Sequence, residues 1–192
     1  QENLGKWRAM HPGRVRLWDK KSTDLLLTKV DPDFKSEVYD KFPHPIQRVD
    51  AIRYFILREF GGMYVDLDMT PRYPMDYLLQ LFQPASELEV VLTMSPNSGI
   101  VTNCFMLSIP KSQFWDVVIA KMRARASRVY MSKHFRVMET TGPNLVHAAM
   151  LEMNDPQKVQ MLPGNLVSRD VCQDDNAKTA KFVFRVVDNQ HA

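Results

Sequence analysis

Residues 46–70 read IQRVDAIRYFILREFGGMYVDLDMT. Val49, Ile52, Ile56 and Phe60 recur at helical spacing, and Phe55 and Leu57 widen the apolar surface. That pattern predicts a largely buried helix. Gly61 and Gly62 end it, because glycine tolerates the left-handed backbone of a helix C-terminus. Residues 63–67 then read as a short apolar strand carrying Asp66, with Asp68 where the strand runs out. Upstream, Pro43 and Pro45 stiffen the entry into the helix, since each fixes its own φ and restrains the residue before it.

Outward from this unit, residues 3–10, 22–27, 114–125 and 144–153 read as helices, with Ser22 or Thr23 capping the second. Residues 14–18 (RVRLW), 89–94, 104–109 and 181–187 read as strands. Helices alternating with strands predict an α/β domain with a mostly parallel central sheet. A chain of 192 residues predicts one domain over residues 1–192.

Composition excludes several classes. Hydrophobic types make up 45% and charged types 24%, which excludes disorder as the main state. A net charge of +3 is too weakly basic to point to nucleic acid. No apolar run approaches the ~20 residues of a membrane-spanning helix, and Gln1 opens no signal peptide. Cys104 and Cys172 do not make a disulfide scaffold and read as free, buried thiols. The histidines His44, His134 and His147 stand at no zinc-site spacing.

The chemistry concentrates in four side chains. Asp66 and Asp68 lie two apart, so on an extended backbone their carboxylates face the same way. Such a pair suits a hard divalent cation shared with substrate phosphates. Asp50 and Arg53 lie three apart on the preceding helix and share a face distinct from the apolar stripe. The glycine turn allows that face to point toward Asp66. From the residues alone, a solvated acidic turn and a local Asp–Arg ion pair are the favoured readings.

The run of Pro45, Ile46, Gln47, Arg48, Asp50, Ala51, Arg53, Tyr54, Leu57, Gly61, Gly62, Tyr64, Asp66 and Asp68 resembles the DxD sugar transferases of glycosyltransferase family 32, and in particular its inositol phosphorylceramide mannosyltransferases. Weaker matches extend from about Trp7 to Leu162. The resemblance implies a GT-A fold that binds a nucleotide-sugar donor and retains anomeric configuration. It implies Mn²⁺ or Mg²⁺ held by Asp68 and Asp66, the two residues assigned to catalysis. Asp50, Arg53, Asp66, Tyr64, Gly62 and Asn103 become the donor contacts. The implied donor is GDP-mannose, with UDP-sugars used elsewhere in the family, and the implied acceptor is a glycan or glycolipid hydroxyl.

The chain begins after the family's usual first strand, so the domain reads as cut at both ends. His191 stands where a late metal-site histidine of the family would begin. A Golgi or secretory membrane is the expected location for a piece of a longer eukaryotic member, and the cytoplasm for a viral or bacterial one.

Two other functions fit parts of the sequence. Residues 65–70 (VDLDMT) also fit the opening of DxDxT phosphatases, with Asp174 and Asp175 as a later acidic motif. The missing first strand suits a non-catalytic module that binds sugar nucleotides. Residues 121–136 hold six Lys or Arg and no acid, which suits a solvated helix face and loop, or attraction to an anionic acceptor or membrane surface. Residues 140–143 (TTGP) form a helix entry that could offer backbone N–H groups to donor or acceptor.

Overall fold

A computed structural model of the chain describes residues 2–81, 87–95, 99–153, 155 and 157–163. The strand expected over residues 181–187 lies outside these residues, as do Cys172, Asp174, Asp175 and His191.

The described elements run α1 (Glu2–Met10), α2 (Lys20–Val30), α3 (Pro32–Phe34), a π-helical turn (Lys35–Tyr39), α4 (Pro45–Phe60), β1 (Gly62–Val65) and α5 (Asp76–Leu81). They continue with β2 (Val90–Met94), β3 (Val101–Ser108), α6 (Gln113–Ala126), α7 (Lys133–Thr140), α8 (Pro143–Met153) and β4 (Val159–Leu162). The strands form one sheet in the order β1-β3-β2-β4.

This is an α/β fold, but its sheet is mixed rather than mostly parallel. β3 runs antiparallel to both β1 and β2, and only β2 and β4 pair parallel. The reason lies in loop length. A parallel return needs a crossover of a dozen or more residues, whereas β2 ends at Met94 and β3 starts at Val101. The parallel pair is joined by the long helical segment α6–α8, which supplies that crossover.

Alternating side chains divide the sheet into two faces. Val90, Leu92 and Met106 pack with α4, α6 and α8 through Phe55, Ile56, Trp115, Val118 and Val146. Met63, Val91, Phe105 and Leu107 face the other way, toward Trp7 of α1 and toward Met69 and Met75. The domain therefore has helices on one face, and α1 with the chain after β1 on the other.

Three local expectations are corrected. Residues 14–18 join no strand among the described residues; Arg16 lies over the Trp18 ring at 3.9 Å instead. α2 is capped by Asp19, which accepts from the backbone N–H of Ser22. Ser22 is the third helical residue and completes a capping box, so it is not itself the cap. On α4, Val49 is 51% exposed, whereas Asp50 and Arg53 are buried. The inward face of this helix is thus partly polar, which an apolar-stripe reading cannot register.

Gly61 is fixed by space as well as by backbone. Its φ of 61° and ψ of −150° lie where only glycine is comfortable. A Cβ there would sit 2.5 Å from the backbone nitrogen of Pro110. This close approach, with the Lys111 N–H donating to the Arg58 carbonyl at 2.7 Å, pins the end of α4 to the turn after β3. α4 and β1 are thereby held side by side.

Candidate active site

Arg53 is the hub. It is 2% exposed and reaches from α4 toward β1 and β3. Its Nη2 donates to Asp50 Oδ1 at 2.6 Å, and its Nη1 donates to the Asn103 carbonyl at 2.6 Å. Nη1 also lies 3.2 Å from Asp66 Oδ1. The guanidinium carbon stands 4.6 Å from the centre of the Tyr64 ring, a cation–π contact. The Tyr64 hydroxyl donates to the same Asp66 Oδ1 at 2.9 Å.

Behind this hub lies a second layer. Asp50 accepts from Thr141 Oγ1 at 3.3 Å and from Asn103 Nδ2 at 3.4 Å. Asn103 Nδ2 also reaches the Tyr54 hydroxyl at 3.2 Å, and that hydroxyl donates to the Thr141 carbonyl at 2.6 Å. Next to it, Gln47 Nε2 donates to Thr140 Oγ1 at 2.7 Å. The helix entry at residues 140–143 thus enters the network through the Thr141 hydroxyl and carbonyl oxygens.

Burial sets the electrostatics. It pushes the Asp50 carboxyl up to about 6, although the Arg53 charge opposes the rise. Burial works against the Arg53 charge too, but Tyr64, Asp66 and Asp50 more than offset it, and Arg53 is held protonated. Burial also raises the Tyr64 hydroxyl far above its usual range, so it stays a donor to Asp66.

The two DxD aspartates differ in burial, Asp66 being half-buried and Asp68 exposed. β1 ends at Val65, one residue before Asp66. The Asp66 N–H still donates to the Cys104 carbonyl at 2.9 Å, and the Asp66 carbonyl accepts from the Met69 N–H at 3.1 Å. The second bond closes a β-turn with Asp68 at its third position. Asp66 therefore turns toward Arg53, while Asp68 sits exposed at the turn.

α1 holds this turn from the far side, a role the sequence reading missed. Asn3 Nδ2 donates to the Leu67 carbonyl at 3.1 Å, and Trp7 Nε1 donates to the Met69 carbonyl at 2.9 Å. Thr70 Oγ1 donates to Asn3 Oδ1 at 2.8 Å. The available signal was Trp7 itself, the one buried residue of a mostly exposed helix. Trp7→Phe keeps a ring but leaves the buried Met69 carbonyl unpaired. We expect a stability loss of about 1–2 kcal/mol in thermal unfolding.

Among the described residues no three His, Cys, Asp or Glu side chains converge as a metal cage. Two carboxylates with the outer one exposed fit a different pattern. Mg²⁺-type ions commonly take one or two carboxylates and complete their shell with phosphate oxygens and water. Asp68 and Asp66 suit that donor set.

A groove of about 640 Å³ runs between α2 and α4, lined by Trp18, Asp19, Tyr39, Arg48, Ile52 and Tyr64 among others. Tyr64 belongs to both the groove and the Arg53 network, so the two adjoin. Gly62, expected among the donor contacts, opens β1 at a φ of 81°. Cys104 is a half-buried thiol on β3.

α4, β1 and both DxD aspartates fall within one family match. Residues 1–83 match the glycosyltransferase sugar-binding region containing a DXD motif. The chain is 33% identical over 135 residues to the mannosyl phosphorylinositol ceramide synthase CSH1 of Saccharomyces cerevisiae, covering 70% of this chain and 33% of that protein. It is likewise 33% identical over 135 residues to inositol phosphoceramide mannosyltransferase 3 of Schizosaccharomyces pombe, covering 70% of this chain and 35% of that one. The chain thus spans about a third of the length of these curated relatives. A solved glycosyltransferase, PaToxG, aligns with a TM-score of 0.47 at 14% identity, over 70% of this chain and 44% of that one. The family resemblance read from residues 45–68 is therefore shown, as a match to the DXD sugar-binding region and to relatives named as mannosyltransferases.

Proposed function

We propose that this chain is the donor-binding core of a retaining, metal-dependent hexosyltransferase. It moves mannose from GDP-mannose to a hydroxyl of a glycolipid with an inositol-phosphate head. The observation that carries the reading is the meeting of Asp50, Arg53, Tyr64 and Asp66 from α4 and β1 beside the exposed turn of Asp68. The family match over residues 1–83 and the names of the relatives support the reaction class and the sugar. A GT-A-like arrangement over the whole of residues 1–192 belongs to the same proposal.

Each residue has a distinct part. Asp68 and Asp66 would hold Mn²⁺ or Mg²⁺, which when bound would supply positive charge to the leaving diphosphate. Arg53 and Tyr64 fix the Asp66 carboxylate, so that its orientation is set before donor arrives. Asp50 and Asn103 hold Arg53. Asp50 and Arg53 are almost wholly buried, so they position Asp66 from behind, where the family resemblance expected them to touch sugar hydroxyls. The groove offers Trp18 and Tyr64 as aromatic surfaces and Arg48 as a cation to the nucleoside diphosphate. Its volume is in the range of small-molecule sites, about 300–1,000 Å³.

The DxDxT phosphatase reading finds less support. It needs Asp66 as an accessible nucleophile, yet Asp66 Oδ1 is shared by Arg53 and Tyr64.

A donor panel tests the proposal. GDP-mannose with Mn²⁺ should raise the melting temperature, with EDTA abolishing the shift. Saturation at a hundred times Kd adds about 2.7 kcal/mol of stability. A shift given equally by UDP-glucose would overturn the donor, and a shift insensitive to EDTA would overturn the metal.

A further inference from the structure

Basic residues over 121–136 left open a solvated face or contact with an anionic surface, and half of them are spent in ion pairs within the protein. Lys121 pairs with Glu152, Arg123 with Asp31 and Glu37, and Arg125 with Glu139. Among the described residues of this stretch the cations outside these pairs are Arg128, Lys133 and Arg136, in the turn between α6 and α7 and on the first turns of α7. No acidic residue occurs between Asp116 and Glu139.

The same tip carries apolar side chains turned into solvent. Val129 is 94% exposed, Met131 102% and Phe135 53%. They are held there by an ordered base. The Arg125 guanidinium donates to the Glu139 carbonyl at 2.9 Å and to its carboxylate at 3.0 Å. The Tyr130 hydroxyl donates to the Arg125 carbonyl at 3.2 Å, and Arg136 lies over the Tyr130 ring at 5.4 Å. Ser132 caps α7 by accepting from the Phe135 N–H. Tyr130 is thus tucked in while its neighbours Val129 and Met131 face out.

We propose that this tip is a membrane-docking element that inserts Val129, Met131 and Phe135 into an anionic bilayer surface. Arg128, Lys133 and Arg136 would then lie among the headgroups. A clustered apolar patch flanked by cations is the chemistry that an anionic interface recognises. Each cation near such a surface is worth about a fivefold gain in partitioning. A protein partner fits the shape less well. A stable protein interface takes about 800 Å² and twenty or more residues from each side, and this is a narrow hairpin tip.

Placement gives the docking a purpose. α7 leads from the tip to Thr140 and Thr141, which bond Gln47 and Asp50. Its eight residues rise about 12 Å. A bilayer under the tip would hold the site about that far above the headgroups, within reach of a lipid-borne acceptor. That last link rests on the proposed function; the docking itself does not.

Flotation of the full 192-residue chain with lipid vesicles tests it, without donor or metal. With roughly one phosphatidylserine in three lipids, the chain should float, and with phosphatidylcholine alone it should stay behind. Met131→Asp with Val129→Asp should lower binding at least ~10-fold, and Arg128→Glu with Lys133→Glu should lower it further in low salt than in high. All four side chains are exposed, so melting temperature and the GDP-mannose shift should hold in these variants. That separates failure here from failure of the donor reading. Absence of flotation by the wild-type chain would overturn the proposal, as would flotation unchanged by the substitutions. Concentration-dependent self-association lost in Met131→Asp would overturn it in favour of a second copy.

Discussion

Asp68→Ala is expected to lower metal-dependent turnover by at least ~10³-fold while leaving the melting temperature nearly unchanged. Asp68 is exposed, and the turn that carries it is closed by the backbone of Asp66 and Met69 and braced by Asn3 and Trp7. Replacing it removes the proposed metal ligand and leaves in place the backbone bonds that close and brace the turn, so stability should change far less than turnover. Asp66→Ala makes the contrasting case. It removes a ligand and also leaves Arg53 and the Tyr64 hydroxyl short of an acceptor. Turnover should fall as far, and stability should fall as well, by about 1–3 kcal/mol. Steady-state kinetics with Mn²⁺ and thermal unfolding of the two variants side by side check the pair. Wild-type turnover in Asp68→Ala would refute the metal assignment.

The asymmetry of the two aspartates shows where sequence reading stops. The helix–glycine–strand unit was legible because its signals are local: apolar spacing in α4, paired glycines, then a short apolar run. Its four polar residues were legible as a set for the same reason. Their difference in burial was not. The strand expected over residues 63–67 stops at Val65 and the chain turns. The turn is braced by α1, more than sixty residues away in sequence, and no local pattern encodes that contact. The sheet direction was partly legible and was misread, since the short link from Met94 to Val101 permits only an antiparallel return. Asn103 and Thr141 reach the site from β3 and from the end of α7, and only tertiary packing brings their oxygens to Arg53 and Asp50.

Arg53→Met should cost more stability than any change at Asp68. The side chain is buried and divides its donors among Asp50, the Asn103 carbonyl and Asp66. Removing one member of a buried ion pair leaves the other uncompensated, at about 3–5 kcal/mol. For a chain of this size that is a fall of roughly 6–20 °C in melting temperature. Adding Asp50→Asn to Arg53→Met removes the stranded charge and should restore part of the stability, but not turnover, because Asp66 stays unanchored. Arg53→Lys keeps a charge without the planar fork, and one ammonium cannot bridge these three acceptors in the same geometry.

Proton linkage gives the same pair an independent signature. Asp50 titrates near 6 in the folded chain and near 4 when unfolded. Between those values the folded state binds the extra proton, so stability should decline as pH rises from about 4 to 6 and then level off. Turnover should run the other way, rising through pH 6 as Asp50 ionises and holds Arg53 against Asp66. A purely structural pair would move stability alone. Asp50→Asn should erase both slopes, and a wild-type rate profile flat from pH 5 to 7 would leave Asp50 with no part in positioning Asp66.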